Sequence, residues 1–113
     1  MMSDDMGRLL YEDAQLRIIA RSGSDAVLLV GEVDVTNSSA LERTLRSAWH
    51  GGEPLTVDTG ALTFVDLSGL RVLVMPAVPP GRRWIRLVNV TPFQRRLMGL
   101  MGWHHEARAQ PLV

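Results

Sequence analysis

The chain has no cysteine, so it can build neither a disulfide framework nor a thiolate metal site. It also has no lysine, since all 12 of its basic residues are arginine, and this excludes the lysine-containing phosphate-binding loop. No apolar run approaches the roughly 20 residues of a membrane span. The opening Met1-Met2-Ser3-Asp4-Asp5 lacks the basic and apolar regions of a signal peptide, so the expected compartment is the cytoplasm. An excess of one charge is missing too, but the balance is uneven along the chain. Residues 1–66 carry 11 acids and 5 arginines; residues 67–113 carry 1 acid and 7 arginines. Such a dipolar chain favours a polar partner surface or self-association into a homodimer, unless the two halves interleave in one fold. At 113 residues the sequence fits one domain with a real core and no room for a second.

What is present reads as a strand–helix alternation. Residues 1–13 are polar and aperiodic, which predicts a flexible N-terminal arm, with Leu9-Leu10-Tyr11 pinned to the surface of a domain spanning 14–113. Gln15–Arg21 alternates as a half-exposed strand, with Leu16, Ile18 and Ala20 on one face. After the turn Ser22-Gly23-Ser24-Asp25, the nearly continuous apolar run Ala26–Val35 predicts a central strand covered on both faces. Ser39-Ala40-Leu41-Glu42 has capping-box spacing and opens a helix whose core face is Leu41, Leu45, Ala48 and Trp49, ended by Gly51-Gly52. Leu55–Asp58 is a short strand. A second helix carries Leu70, Leu73, Val74 and Ala77 at helical spacing and stops at Pro76 and Pro79-Pro80-Gly81. Trp84–Val88 alternates as a strand. Thr91-Pro92 starts a third helix with Phe93, Leu97, Leu100 and Met101 on its buried face and Met98 off that stripe, free for an exposed contact patch. Trp103–Val113 has room for one edge strand. The order β-β-α-β-α-β-α(-β) predicts an α/β domain with a mixed β-sheet and right-handed crossovers.

Catalytic readings find little support. Ser68 lacks the glycine two residues before it that a nucleophile elbow needs, since that position is Asp66. The three histidines are His50 at a helix end and the adjacent pair His104-His105, and no local pattern places one to activate Ser68. A metal site from His104, His105 and Glu106 is disfavoured because neighbouring side chains on a strand point to opposite faces. Asp34, Asp58 and Asp66 fall at strand ends, where they would bind magnesium or, more simply, accept hydrogen bonds from loop amides. Arg82, Arg83, Arg86, Arg95 and Arg96 with Trp84 read either as a nucleic-acid patch or as a solvated face beside a buried Trp84, and the zero net charge favours the face.

The organising stretch is Leu62-Thr63-Phe64-Val65-Asp66-Leu67-Ser68-Gly69-Leu70. An apolar run reaches Asp66 and re-emerges as a helix, so Ser68 falls in the first helical turn, where free N–H groups favour an anion. Asp66 and Ser68 both suit an N-cap, and a hydroxyl that merely caps is the plainest reading of Ser68.

Asp66-Leu67-Ser68-Gly69-Leu70, after Gly31-Glu32-Val33-Asp34, Val57-Asp58 and Phe64-Val65 and before Arg86-Leu87-Val88-Asn89 and Thr91-Pro92, resembles the STAS domain of bacterial anti-sigma factor antagonists. The resemblance runs from about Gln15 to Trp103 and rests on the order and spacing of the motifs together. It implies a STAS-like fold and a phosphoacceptor role for Ser68. The serine that usually precedes that position is Leu67 here, which leaves one candidate hydroxyl. It further implies a partner surface of Asp34, Asp66, Leu67, Ser68, Gly69 and Arg71, and an anti-sigma factor with serine kinase activity as the partner. No catalytic residue, metal, cofactor or nucleic acid is expected. The segment between Gly69 and Trp84 is shorter than usual in the family, and this supports an alternative: a non-phosphorylated STAS scaffold or sensor that binds a small ligand or serves as accessory subunit of a larger complex.

Overall fold

A computed structural model describes residues 7–22, 24–74 and 84–102. Five strands, β1 (Arg8–Glu12), β2 (Leu16–Ala20), β3 (Ala26–Val33), β4 (Leu55–Val65) and β5 (Ile85–Val88), form one sheet in the order β1-β2-β3-β4-β5. The first three run antiparallel, and β3, β4 and β5 are parallel. Helices α1 (Ser38–Ala48), α2 (Leu67–Val74) and α3 (Pro92–Leu100) follow β3, β4 and β5 in turn. This is the mixed-sheet α/β domain that the sequence predicts, with one strand added in front.

That strand corrects the expected arm. Arg8–Glu12 pairs with Glu12↔Arg17, Tyr11↔Ile18 and Leu9↔Ile19, with a bulge between Leu9 and Tyr11, and Leu10 and Tyr11 pack against the core. An edge strand with one charged residue at each end and Leu9 in solvent buries too little to impose a visible alternation. Residues 1–6 of the expected arm, the prolines after α2, Arg82, Arg83 and the expected last strand lie outside the described residues.

The core lies where α1 and α2 meet the sheet. It is built from Leu16, Ile18, Val27, Leu29, Val33, Leu41, Leu45, Val57, Val65, Leu70, Leu73 and Val74, with Trp84 and Met98 closing it. The expected face of α1 is the observed one: Leu41 and Leu45 are fully buried, with Ala48 and Trp49 packed beside them. Trp49 meets Trp84 at 5.3 Å between ring centroids, and the Arg46 guanidinium lies 4.8 Å over Trp84. Trp84 is thus a core residue.

Four details depart from the sequence reading. In β3 only Val27, Leu29 and Val33 are fully buried, whereas Leu28 and Val30 are half-buried, so among the described residues the second face of the sheet is partly open. In β2, Ile19 is buried along with Leu16 and Ile18, because β1 and β3 flank it as Leu9 and Leu28. Helix α1 begins at Ser38 with Asn37 before it and no side-chain cap, so Ser39 and Glu42 form no capping box; Glu42 instead takes Arg46 Nε at 3.3 Å one turn on.

Helix α3 is rolled relative to its apolar stripe. Phe93 and Leu100 are 48% and 77% exposed, while Gln94 and Met98 are buried and Leu97 and Met101 pack against the core. Gln94 supplies the reason. Its amide donates to the Thr59 carbonyl at 2.9 Å and accepts from the Thr59 hydroxyl at 2.8 Å and from Thr91 N–H at 3.1 Å, while Thr91 caps Gln94 N–H. A capping box therefore doubles as a buried, hydrogen-bonded polar bridge to β4, and it turns Gln94 and Met98 inward. The exposed patch expected at Met98 belongs instead to Phe93 and Leu100.

Candidate functional site

Parallel pairing of β3 and β4 brings their carboxyl ends to one edge of the sheet. Val33 sits opposite Val65, and the two chains leave the sheet as Asp34 and Asp66. The Asp66 N–H donates to the Val33 carbonyl at 3.2 Å, which ties the start of α2 to the end of β3. Asp34, Asp66, Leu67, Ser68, Gly69 and Arg71 are thereby gathered on this edge and on the first turn and a half of α2.

Asp66 is the cap of α2. Its Oδ1 accepts from Gly69 N–H at 3.1 Å and from the Ser68 hydroxyl at 2.6 Å. Ser68 is therefore in the first turn, as its position predicts, but it is not the cap: its hydroxyl donates to the capping carboxylate. Gly69 has an ordinary backbone conformation and is required for a different reason. A Cβ there would lie 2.7 Å from Val33 Cγ1 and 2.7 Å from Val65 Cγ2. Only a glycine lets α2 sit directly on the ends of β3 and β4, and this seating holds Ser68 half-buried at the surface beside them.

The neighbouring loop, 34–37, is stapled from inside. The Asn37 side chain is buried; its Oδ1 accepts from Asp34 N–H at 2.9 Å and its Nδ2 donates to the Glu32 carbonyl at 3.1 Å. Asp34 Oδ1 accepts from the Thr36 hydroxyl and backbone N–H, and Oδ2 accepts from Gln15 Nε2 at 3.2 Å. The Thr36 hydroxyl first, then the Thr36 N–H and the Gln15 amide, hold the Asp34 carboxyl below its ordinary value against partial desolvation. Asp34 is thus a fixed anion beside the α2 N-terminus. Gln15 reaches it because Gly31 bulges. Gly31 has φ +114°, and a Cβ there would be 2.0 Å from the Gln15 carbonyl, which instead accepts Glu32 N–H at 2.9 Å.

The edge is apolar as well as acidic. Val35 is 75% exposed, Phe64 45% and Leu67 42%, and Arg71, one turn beyond Leu67, is exposed with no ion pair among the described residues. Sequence reasoning missed Val35, Phe64, Gln15 and Asn37. Val35 was signalled by an apolar residue standing in a polar loop. The outward Phe64 depends on the register shift between Gly31 and Glu32, which no local pattern announces.

Asp58 does not belong to this edge, which corrects the expected trio of strand-end carboxylates. Strand β4 runs on to Val65, so Asp58 lies within it, level with Leu28, where it accepts from Arg21 at 3.3 Å, Asn89 Nδ2 at 2.9 Å and Gly60 N–H at 2.9 Å. Among the described residues no group of three or more His, Asp or Glu side chains is placed to hold a metal ion. His104, His105 and Glu106 lie outside them.

The chain is thus an α/β domain that presents a capped helix start and a hydroxyl at the parallel edge of its sheet. The family model described as "Mlab, STAS domain" matches residues 17–113, and the chain belongs to this STAS family. Among solved structures, an anti-sigma factor antagonist from Mycobacterium paratuberculosis is similar, with a TM-score of 0.63 and 21% identity over 82% of this chain and 83% of that one. That likeness shows the fold. No curated protein matches the chain. No helix among the described residues is long and apolar enough to cross a membrane.

Proposed function

We propose that the chain is a bacterial, cytoplasmic anti-sigma factor antagonist, a binding module without catalytic activity whose partner is an anti-sigma factor with serine kinase activity. Unmodified, the protein occupies the anti-sigma factor and frees a sigma factor for transcription; phosphorylated on Ser68, it lets go. The observation that carries this reading is the Ser68 hydroxyl, held 2.6 Å from Asp66 in the first turn of α2 at a rim of exposed Val35, Phe64 and Leu67. Family membership and the fold of the mycobacterial antagonist support it.

The physical effect of phosphorylation follows from that contact. The γ-phosphoryl group of ATP moves to Ser68 Oγ as its bond to the ADP oxygen breaks, ADP leaves, and the hydroxyl proton now shared with Asp66 passes to solvent. A donor is replaced by about −1.5 to −2 charges facing the Asp66 carboxylate, with Asp34 fixed nearby. The helix N-terminus compensates part of this locally, so the domain stays folded. The mismatch falls on the partner surface, where apolar contacts around Leu67 and Phe64 must then be made beside an unpaired dianion. If this costs roughly 3 kcal/mol, affinity falls on the order of 100-fold.

Capture of the partner with the intact protein, followed by phosphosite mapping after ATP addition, tests the proposal. A kinase that places phosphate on Ser68 is the expected result. A partner without kinase activity and no phosphate on Ser68 would contradict it and favour a scaffold or accessory subunit.

A further inference from the structure

The other ends of β3 and β4, about 20 Å along the strands from Ser68, border a cleft that the Ser68 surface does not use. It lies between the β1–β2 hairpin, the start of β3 and the last two turns of α1, and its volume is about 810 Å³. That lies within the roughly 300–1,000 Å³ of small-molecule sites. Its inner wall is apolar: the buried Val27 and Leu55 and the half-buried Leu10 and Ala48. Its rim is basic, with Arg8, Arg21, Arg43 and His50 set against the single carboxylate of Asp25.

The three arginines are not equivalent. Arg21 is tied to Asp58 at 3.3 Å, so its charge is already matched. Arg8 and Arg43 make no ion pair among the described residues, whereas Arg17 and Arg46, outside the cleft, are paired with Glu12 and Glu42. Two arginines with no ion pair among the described residues therefore line the same cavity, one from β1 and one from α1. Arginine presents a planar fork of donors that suits the oxygens of a phosphate or carboxylate. The apolar wall behind the rim asks for more than an inorganic ion. Thr44 and Ser47 on α1 also line the cleft.

We infer that this cleft binds a small anionic amphiphile, an aryl or short acyl group bearing one phosphate or carboxylate, with Arg8 and Arg43 holding the anion and Val27, Leu55, Leu10 and Ala48 taking the apolar body. The site is separate from the Ser68 surface and stands whether or not Ser68 is a switch.

Phenyl phosphate is the probe, titrated into the full-length protein while backbone amide shifts are followed, with phenol and inorganic phosphate as single-feature controls. Saturable shifts confined to Gly7–Leu10, Ser24–Val27 and Thr44–His50 are expected, with both controls binding at least roughly tenfold more weakly. Arg8→Gln with Arg43→Gln should melt like wild type and lose roughly tenfold or more in affinity. If Arg43→Gln disturbs α1, Arg8→Gln alone makes the same comparison from the edge strand. Four results would each overturn the inference: no saturation at millimolar probe, shifts that saturate elsewhere, unchanged affinity in a folded Arg8→Gln variant, or inorganic phosphate binding as tightly as phenyl phosphate.

Discussion

Gly69 and Asp66 set the geometry around Ser68. Gly69 is where α2 touches β3 and β4, so Gly69→Ala forces a Cβ against Val33 and Val65. Overpacking of this kind should destabilise by about 1–3 kcal/mol, read as a lower denaturant midpoint with unchanged slope. Asp66 is the cap, and Ser68 only donates to it, so Ser68→Ala should lose one half-exposed hydrogen bond, about 0.5–1.5 kcal/mol, and keep the helix start. Asp13 and Asp34 both contribute to the acid side of the stability curve. The Tyr11 hydroxyl, 2.6 Å from Asp13, does most to hold the Asp13 carboxyl below its ordinary 3.8; the Gln15 and Leu16 N–H groups add to it. A folded value below the unfolded one means that this stabilisation is present above 3.8 and lost as pH falls through the lowered value. Asp13→Asn should therefore flatten the decline of Tm with acid relative to wild type. Tyr11 has the opposite sign: its hydroxyl is held above 10.0, chiefly by the same Asp13 hydrogen bond, so its share is intact below 10.0 and is lost in strong alkali.

At the scale of elements, what was legible in the sequence followed burial. Helices α1 and α2 show their core faces because Leu41, Leu45, Leu70, Leu73 and Val74 are buried at helical spacing. Strand β1 was illegible because it is an edge, and the roll of α3 because its inward anchor is a glutamine, which every hydropathy pattern assigns to solvent. The Asp66–Ser68–Gly69 turn could be placed from cap chemistry alone, but which side chain caps and which donates was settled only by geometry. Two comparisons check the elements. Leu73→Ala should cost about 2–5 kcal/mol, while Arg71→Ala, on the outer face of the same helix, should stay within about 0.5 kcal/mol. Equal denaturant midpoints would mean that α2 is turned. Gln94→Leu should destabilise by about 1–3 kcal/mol despite its added hydrophobicity, because it orphans the buried Thr59 carbonyl and hydroxyl. A Gln94→Leu protein at least as stable as wild type would refute the anchor.

For the whole molecule, the two ends of the parallel strands have different chemistry. At the carboxyl ends stand two aspartates, a hydroxyl and exposed Val35, Phe64 and Leu67; at the other ends stands a basic cleft. The charge asymmetry along the sequence therefore does not simply become two halves of the fold, because Arg8, Arg21 and Arg43 come from the acidic part of the chain. On the proposed function, the acidic, apolar end is a phosphorylation-controlled docking surface. This is tested most directly by titrating the purified partner kinase against wild-type protein and against the same protein phosphorylated on Ser68, with Ser68→Ala as the unmodifiable control. Wild type and Ser68→Ala should bind tightly, with binding weaker on the order of 100-fold once Ser68 carries phosphate. Equal affinity of the phosphorylated and unmodified proteins would contradict it.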